Sequence, residues 1–437
     1  INAAYNGSVK FGRGFRFDLF PSVALGWTPS NETFMENVDW LNLLKFRGSY
    51  GVVGDDNFPG RFKYRSQWAS GGSGYLVPSN FIGGRSPYIW YRETTVGNPD
   101  LQWETATKYN IGAEFNLFDG LLSGEIDYFA ENRDNIIIVG NQRSVPDWFG
   151  QSPPDVNGGE TQVRGDEIVL ASNYNFDNGL NIFGNFNFTQ AKDLVIERDD
   201  PLFRPEHQRN AGFVIGQPRR AISADILTSW DDVYMSTPVN NAQEFTRVGY
   251  YDRVDFNGDG EYNSNFDNAA FGYPENPQRN WSATLGARYK GWTVSAQLYG
   301  TQNASRRIGN STFIQNTPLI FEHDLNYWTV NTPNNTSTQP SIGVQGAADP
   351  DRGWLDGSLT RLKAVSVSYN VPKKTCEKLG LNKLTLFVNG NNLFLWSDFP
   401  DDREFISGNN VDQLSLSRAR GDYPTLKRFN LGFNMNF

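Results

Sequence analysis

Residues 425–437 read TLKRFNLGFNMNF, and the alternation in this stretch decides the fold. Phe429, Leu431, Phe433, Met435 and Phe437 occupy one parity, while Arg428, Asn430, Gly432, Asn434 and Asn436 occupy the other. A period of two is the signature of a strand, here with one wholly apolar face. In water, five large apolar groups in a row need a covering layer. In a bilayer the lipid is that layer.

The same pattern recurs upstream. Leu101, Trp103, Tyr109, Ile111, Ala113 and Phe115 share one parity, with Glu104, Lys108, Asn110 and Glu114 between them. After a tight turn at Phe118, Asp119 and Gly120 come Leu122, Gly124, Ile126, Tyr128 and Ala130, alternating with Ser123, Glu125 and Asp127. A hairpin follows later, in which Trp281, Ala283, Leu285, Ala287 and Tyr289 lead through Lys290 and Gly291 to Trp292, Val294, Ala296 and Leu298. Further strand segments are 15–27, 43–52, 162–174, 182–192, 358–371 and 383–394. With the opening segment and the last strand these make about twelve strands of about ten residues, the length a tilted strand needs to cross hydrocarbon. Aromatics at both ends of the runs resemble the girdles of a membrane barrel.

Composition agrees. Aromatic residues make up 14% of the 437, with 43 Gly and only 3 Met, a bias toward strands and turns. The formal charge of -9 argues against a nucleic-acid partner. No run approaches the eighteen or so apolar residues of a membrane helix; the longest aliphatic run is 136–139. The single cysteine, Cys376, admits no intrachain disulfide and reads as a small buried or turn residue. Ile1 opens directly into strand-like sequence without a leader, so the expectation is a mature or shortened chain.

Connections are lopsided. Those near 118–120, 176–180 and 290–291 are short; those over 53–99, 137–161, 193–279, 302–357 and 398–422 are long, and the two kinds alternate. A membrane barrel has this one-sidedness, with short periplasmic turns and long extracellular loops. A strand count near twelve, beginning and ending on the short-turn side, places the carboxy terminus in the periplasm.

Several segments together resemble the SusC/RagA family of TonB-dependent transporters: FPSVALGW (20–27), WLNLLKFRGSYGVVG (40–54), NPDLQWETATKYNIGAEF (98–115), NGGETQVRGDEI (157–168), DFNGDGEYN (255–263) with the hairpin after it, YWTVNTPN (327–334), LTRLKAVSVSYNVP (359–372) and FVNGNNLFLWSDFPD (387–401) with the terminal strand. The aromatic carboxy-terminal residue is also similar to those of many outer-membrane barrels. The resemblance implies an all-β transmembrane antiparallel barrel, of which residues 1–437 hold about the last 12 of 22 strands. It further implies a plug-bearing N-terminal part and TonB box supplied outside these residues, the TonB complex acting through that part, and a SusD-like lipoprotein lid. The cargo it implies is an oligosaccharide, or in some members a peptide, taken up across the outer membrane.

Within the 193–279 loop, Asp255, Asn257, Asp259 and Glu261 follow the first half of a calcium loop, with Gly260 at the sharp turn; Phe266 stands at the twelfth position and Asp267 one place later. A structural Ca²⁺ or Mg²⁺ and a metal-free Asx/Gly turn remain equal readings. No cofactor is required. Among loop aromatics, Trp68, Trp90, Tyr91, Trp148 and Tyr327 are candidates for stacking on sugar rings, against a simpler role in loop packing or at the interface. Polar positions Glu104, Lys108, Glu114, Glu125 and Asp127 would line the lumen. His207 and His323 lie in no catalytic motif, carboxylate pairs cannot be placed from sequence, and the chain is not expected to be an enzyme. The two Arg-Gly-Asp triplets, 164–166 and 420–422, read as strand starts without an adhesive role. Two other classes stay open: a passive porin whose first and last strands pair, and a soluble secreted glycan-binding or glycan-cleaving β-protein.

Overall fold

A computed structural model describes residues 1–75, 85–240, 246–307, 328–331, 354–399 and 425–437. Twelve strands form one antiparallel sheet in simple sequence order. They are β1 (Asn2–Gly7), β2 (Phe17–Trp27), β3 (Leu41–Asp55), β4 (Glu104–Leu117), β5 (Leu122–Ile138) and β6 (Val156–Asn175). Then come β7 (Asn181–Glu197), β8 (Arg279–Tyr289), β9 (Trp292–Gln302), β10 (Leu359–Asn370), β11 (Lys383–Ser397) and β12 (Arg428–Asn436). Among the described residues, helix is confined to single turns and two short segments, α1 (Trp230–Met235) and α2 (Lys373–Lys378). No described helix is long and apolar enough to cross a membrane.

Register carries one apolar face across the whole sheet. Trp27 pairs with Phe46, Tyr50 with Tyr109, Ile111 with Tyr128, and Ala113 with Ile126. Beyond these, Ile126 pairs with Ile168, Leu170 with Phe186, Leu285 with Ala296, Val294 with Val367, and Val388 with Leu431. Among the described residues nothing covers this face at the carboxy-terminal strand, where Phe429 is 74%, Leu431 83%, Phe433 58% and Phe437 84% exposed. So much continuous apolar surface cannot stand in water and belongs to lipid.

Glycines opposite aromatics let rings lie down on the sheet. Phe183 pairs with Gly286, Phe387 with Gly432 and Trp281 with Gly300, and a Cβ on any of these glycines would overlap the facing ring. Two left-handed residues, Lys290 at φ 47° and Gly291 at φ 87°, close the β8–β9 hairpin with the twist such turns require. Asn42 at the start of β3 and Asp119 in the β4–β5 turn exchange hydrogen bonds, at 2.9 and 2.8 Å.

The twelve expected strands are found in the expected order, and from β3 onward long connections and short turns alternate. Three readings change. Leu101 and Trp103 precede β4 and face no lipid: they are buried with Phe11, Phe20, Phe58 and Ile137 in an apolar core under the long-loop end, where Trp103 Nε1 donates to the Arg16 carbonyl at 3.3 Å. Alternation up to residue 101 was local coincidence, because a loop core also wants large apolar groups. Residues 164–166 fall in the middle of β6 and not at a strand start, with Arg164 donating to the Glu131 carbonyl at 3.1 Å. Finally, among the described residues β1 pairs only with β2 and β12 only with β11, so the twelve strands form an open wall and not the closed porin.

Candidate functional site

Opposite the lipid face, the wall is polar, and its chemistry divides into two sectors. On β3–β5 it is charged. Lys45 Nζ lies 3.0 Å from Glu114 Oε1, and Arg47 Nη1 2.6 Å from the same oxygen. Arg47 also binds Glu125, and its Nε donates to Asp127 Oδ1 at 3.2 Å. Arg47 and Asp127 sit on strands separated by β4, roughly 10 Å apart at the backbone. Gly112 pairs with both, and a Cβ there would strike the Asp127 carboxylate and lie 3.1 Å from Arg47 Nε. The missing side chain is the gap through which the guanidinium crosses. Nearer the long loops, Glu131 bridges Lys108 at 3.1 Å and Arg133 at 3.1 Å, while Glu104 accepts from the Ile137 N–H at 2.9 Å. Glu104, Lys108, Glu114, Glu125 and Asp127, all read from sequence as lumen positions, thus share one face.

On β7–β12 the same face is built mainly of amides and hydroxyls, with separate charges at Asp193, Arg288, Arg361 and Arg428. Asn185, Asn187, Ser282, Thr284, Ser295 and Gln297 alternate with the lipid-facing set, and Ser366 donates to Asn389 Oδ1 at 2.7 Å. Amides and hydroxyls both donate and accept, so these groups offer paired hydrogen bonds at a lower desolvation cost than the charged cluster on β3–β5.

The loop candidates separate. Trp68, Trp90 and Tyr91 lie on a hairpin formed by Gln67–Tyr75 and Arg85–Thr95. Trp68 faces Glu93 and Tyr91 faces Ser70, which puts Trp68 and Tyr91 on one side, 63% exposed each. Trp90 points the other way and lies against Gly71. Trp148 stands on a different connection, within the turn Asp147–Phe149. Tyr327, His323 and residues 420–422 lie outside the described residues.

Residues 255–261 form a self-bonded turn. Asp255 accepts from Gly258 N at 2.7 Å and Gly260 N at 2.8 Å, Asn257 Oδ1 from Asp259 N at 3.0 Å, and Asp259 Oδ1 from Glu261 N at 3.0 Å. The Gly260 N–H, helped by others of the turn, holds the Asp255 carboxyl below its ordinary range. Glu261 accepts from Asn240 Nδ2 at 2.5 Å. The keystone is Asp267, fully buried, which accepts from Phe256 N at 3.0 Å, Asn257 N at 3.3 Å and Asn263 N at 2.7 Å. Its place one residue past the calcium-loop position was visible in sequence; its role was not. His207 stacks on Phe256 and bonds the Phe266 carbonyl at 2.7 Å, a structural post. Among the described residues no group of three or more His, Cys, Asp or Glu could hold a metal ion. Cys376 is buried, its thiol donating to the Val371 carbonyl at 3.5 Å.

A lipid-facing belt on one side, a hydrogen-bonding wall on the other and one-sided long loops define the wall of an outer-membrane β-barrel. The chain belongs to the TonB dependent receptor-like β-barrel family, whose model matches residues 3–258. It is 26% identical over 460 residues to TonB-dependent receptor P3 of Formosa agariphila, covering 100% of this chain and 44% of the relative. To TonB-dependent receptor SusC of Bacteroides thetaiotaomicron it is 29% identical over 133 residues, 30% of this chain and 13% of SusC. The RagAB peptide importer in its open-open state shares the fold, with a TM-score of 0.68, 19% identity, and coverage of 98% of this chain and 44% of that one. The SusC/RagA resemblance read from the sequence is borne out. The chain spans less than half the length of the long curated relatives it matches.

Proposed function

We propose that these residues form the carboxy-terminal wall and outer loops of a TonB-dependent importer of neutral oligosaccharides. The observation that carries the reading is the amide- and hydroxyl-lined sector on β7–β12, which can exchange hydrogen bonds with sugar hydroxyls at low desolvation cost. In this reading the short turns and the carboxy terminus face the periplasm. A SusD-like lipoprotein covers the long loops, including 193–279, and a plug-bearing N-terminal part relays the pull of TonB. Trp68 and Tyr91, displayed together, stack on sugar rings; Trp90, Trp148 and Tyr327 are secondary contacts. The wall's groups bind and orient cargo and catalyse nothing.

A panel of neutral glycans and of peptides, titrated calorimetrically against the purified receptor, tests this. Glycan binding that weakens about three- to tenfold in Trp68→Ala and Tyr91→Ala supports it. Binding of peptides alone, or hydrolysis of the glycan, overturns it. The turn at 255–261 is read as held by its own backbone bonds without a metal, because among the described residues no group of three or more His, Cys, Asp or Glu is placed to hold one. A calcium titration that shows saturable binding by this loop would reverse that choice.

A further inference from the structure

The short-turn rim is electrically divided. The turns ahead of β3, β5 and β7 carry Glu32, Glu36, Asp39, Asp119 and Asp177. Around β8–β11 the rim is basic: Lys290 in one turn, then Lys373, Lys374, Lys378 and Lys383 in the next, with Glu377, 3.9 Å from Lys373, the one acidic side chain among them. In a chain of formal charge -9 this concentration is local.

These lysines are held in place. The Asn370 N–H donates to the Gly291 carbonyl at 2.8 Å, joining the two turns. α2 is pinned by buried Cys376, whose carbonyl accepts from Leu381 N at 2.9 Å, and Asn382 N donates to the Asn436 carbonyl at 2.7 Å. All five lysines are exposed. Directly beside them the lipid face ends in aromatics: Trp292 and Tyr369, rings 4.7 Å apart, and Tyr289, with Lys290 Nζ 5.0 Å from its ring. Aromatics of this kind sit at the headgroup boundary, so the next layer outward, where the lysines stand, is the layer of lipid phosphates. Exposed Leu379 adds an apolar contact on the same turn.

We propose that the β8–β11 rim binds anionic phospholipid headgroups of the membrane leaflet on its own side, the lysines contacting phosphate while Tyr289, Trp292 and Tyr369 hold the acyl-chain boundary. Placing that leaflet on the periplasmic side rests on the orientation given above. The partner follows from charge complementarity and from the continuity of the patch with the lipid-facing belt.

The experiment uses the receptor purified from the outer membrane in its full length, with phosphatidylglycerol and phosphatidylcholine as probes, read by native mass spectrometry and by competition in mixed micelles. Wild type should retain phosphatidylglycerol over phosphatidylcholine on the order of tenfold. The combined variant Lys373→Gln, Lys374→Gln, Lys378→Gln, Lys383→Gln should bring the two lipids near parity, while the Lys→Arg version keeps the preference. Heat-modifiable gel migration confirms that each variant is folded. Equal preference in wild type and the Gln variant overturns the proposal. So does full displacement of the lipid by inorganic phosphate, which would mark a simple anion site. Labelling a cysteine at position 177 in whole cells tests orientation separately: labelling from outside refutes the periplasmic placement and leaves the micelle result to judge the lysines.

Discussion

Replacing Arg47 by Met removes the cation that joins Glu114, Glu125 and Asp127 and leaves the three carboxylates with Lys45 alone. Breaking a buried ion pair costs about 3–5 kcal/mol, an exposed one about 0.2–1 kcal/mol. The site lies between: the Asp127 side chain is 5% exposed, but Arg47 is 31% and Glu125 40%. Discounting for water at Arg47 and Glu125 leaves about 2–3 kcal/mol, mostly from the stranded Asp127. Reversible urea unfolding of the receptor in lipid micelles measures it. A cycle with Asp127→Asn should show coupling of about 1–2 kcal/mol. Gly112→Ala, which blocks the crossing without touching a charge, should lose a comparable share of that coupling. If Arg47→Met costs under about 0.5 kcal/mol, or the cycle is additive, the guanidinium is not organising this wall and the reasoning fails.

Gly286→Val drives a side chain into the Phe183 ring, itself covered by the Arg288 guanidinium at 4.3 Å, and should cost about 1–3 kcal/mol, with much of the loss recovered by adding Phe183→Ala; unfolding midpoints decide it. Asp267→Ala strands three backbone N–H groups and should raise amide exchange at Phe256, Asn257 and Asn263 while leaving β8 protected, as mass-detected exchange would show. Because the Asp255 carboxyl is held below its unfolded value, its contribution is complete above the ordinary carboxylate range near about 4 and is lost as pH falls through the lower folded value; Asp255→Asn should flatten that acid-side rise in exchange at Gly258 and Gly260. An arginine at Leu285, on the lipid face, should cost about 2–4 kcal/mol, whereas Thr284→Arg, one residue away on the wall, should cost under about 1 kcal/mol.

Strands were legible because lipid imposes a strict period of two: at positions such as Leu285 or Leu431 a polar side chain does not suit the face, so local sequence and global fold agree. Leu101 and Trp103 misled because burial in a loop core and exposure to lipid select the same side chains. Which face lines the wall could be read from Glu114, Glu125 and Asp127. That Arg47 reaches Asp127 through Gly112 could not, since register between strands distant in sequence is set by pairing that no single strand encodes. Likewise Asp255, Asn257 and Asp259 announced a turn, but the buried anchor Asp267 depends on how the chain returns. The basic rim escaped notice because its lysines come from two turns that meet only in the folded sheet.

The most direct test of the whole account is a single-cysteine scan of β12 in the membrane-embedded receptor, probing each position with a water-soluble maleimide and with a lipid-phase spin label. Positions 429, 431 and 433 should resist the maleimide and be broadened by the lipid label, while 430 and 434 do the reverse. Uniform maleimide reactivity along the strand, or protection of both parities from lipid, would contradict the claim that alternate residues of this wall touch hydrocarbon.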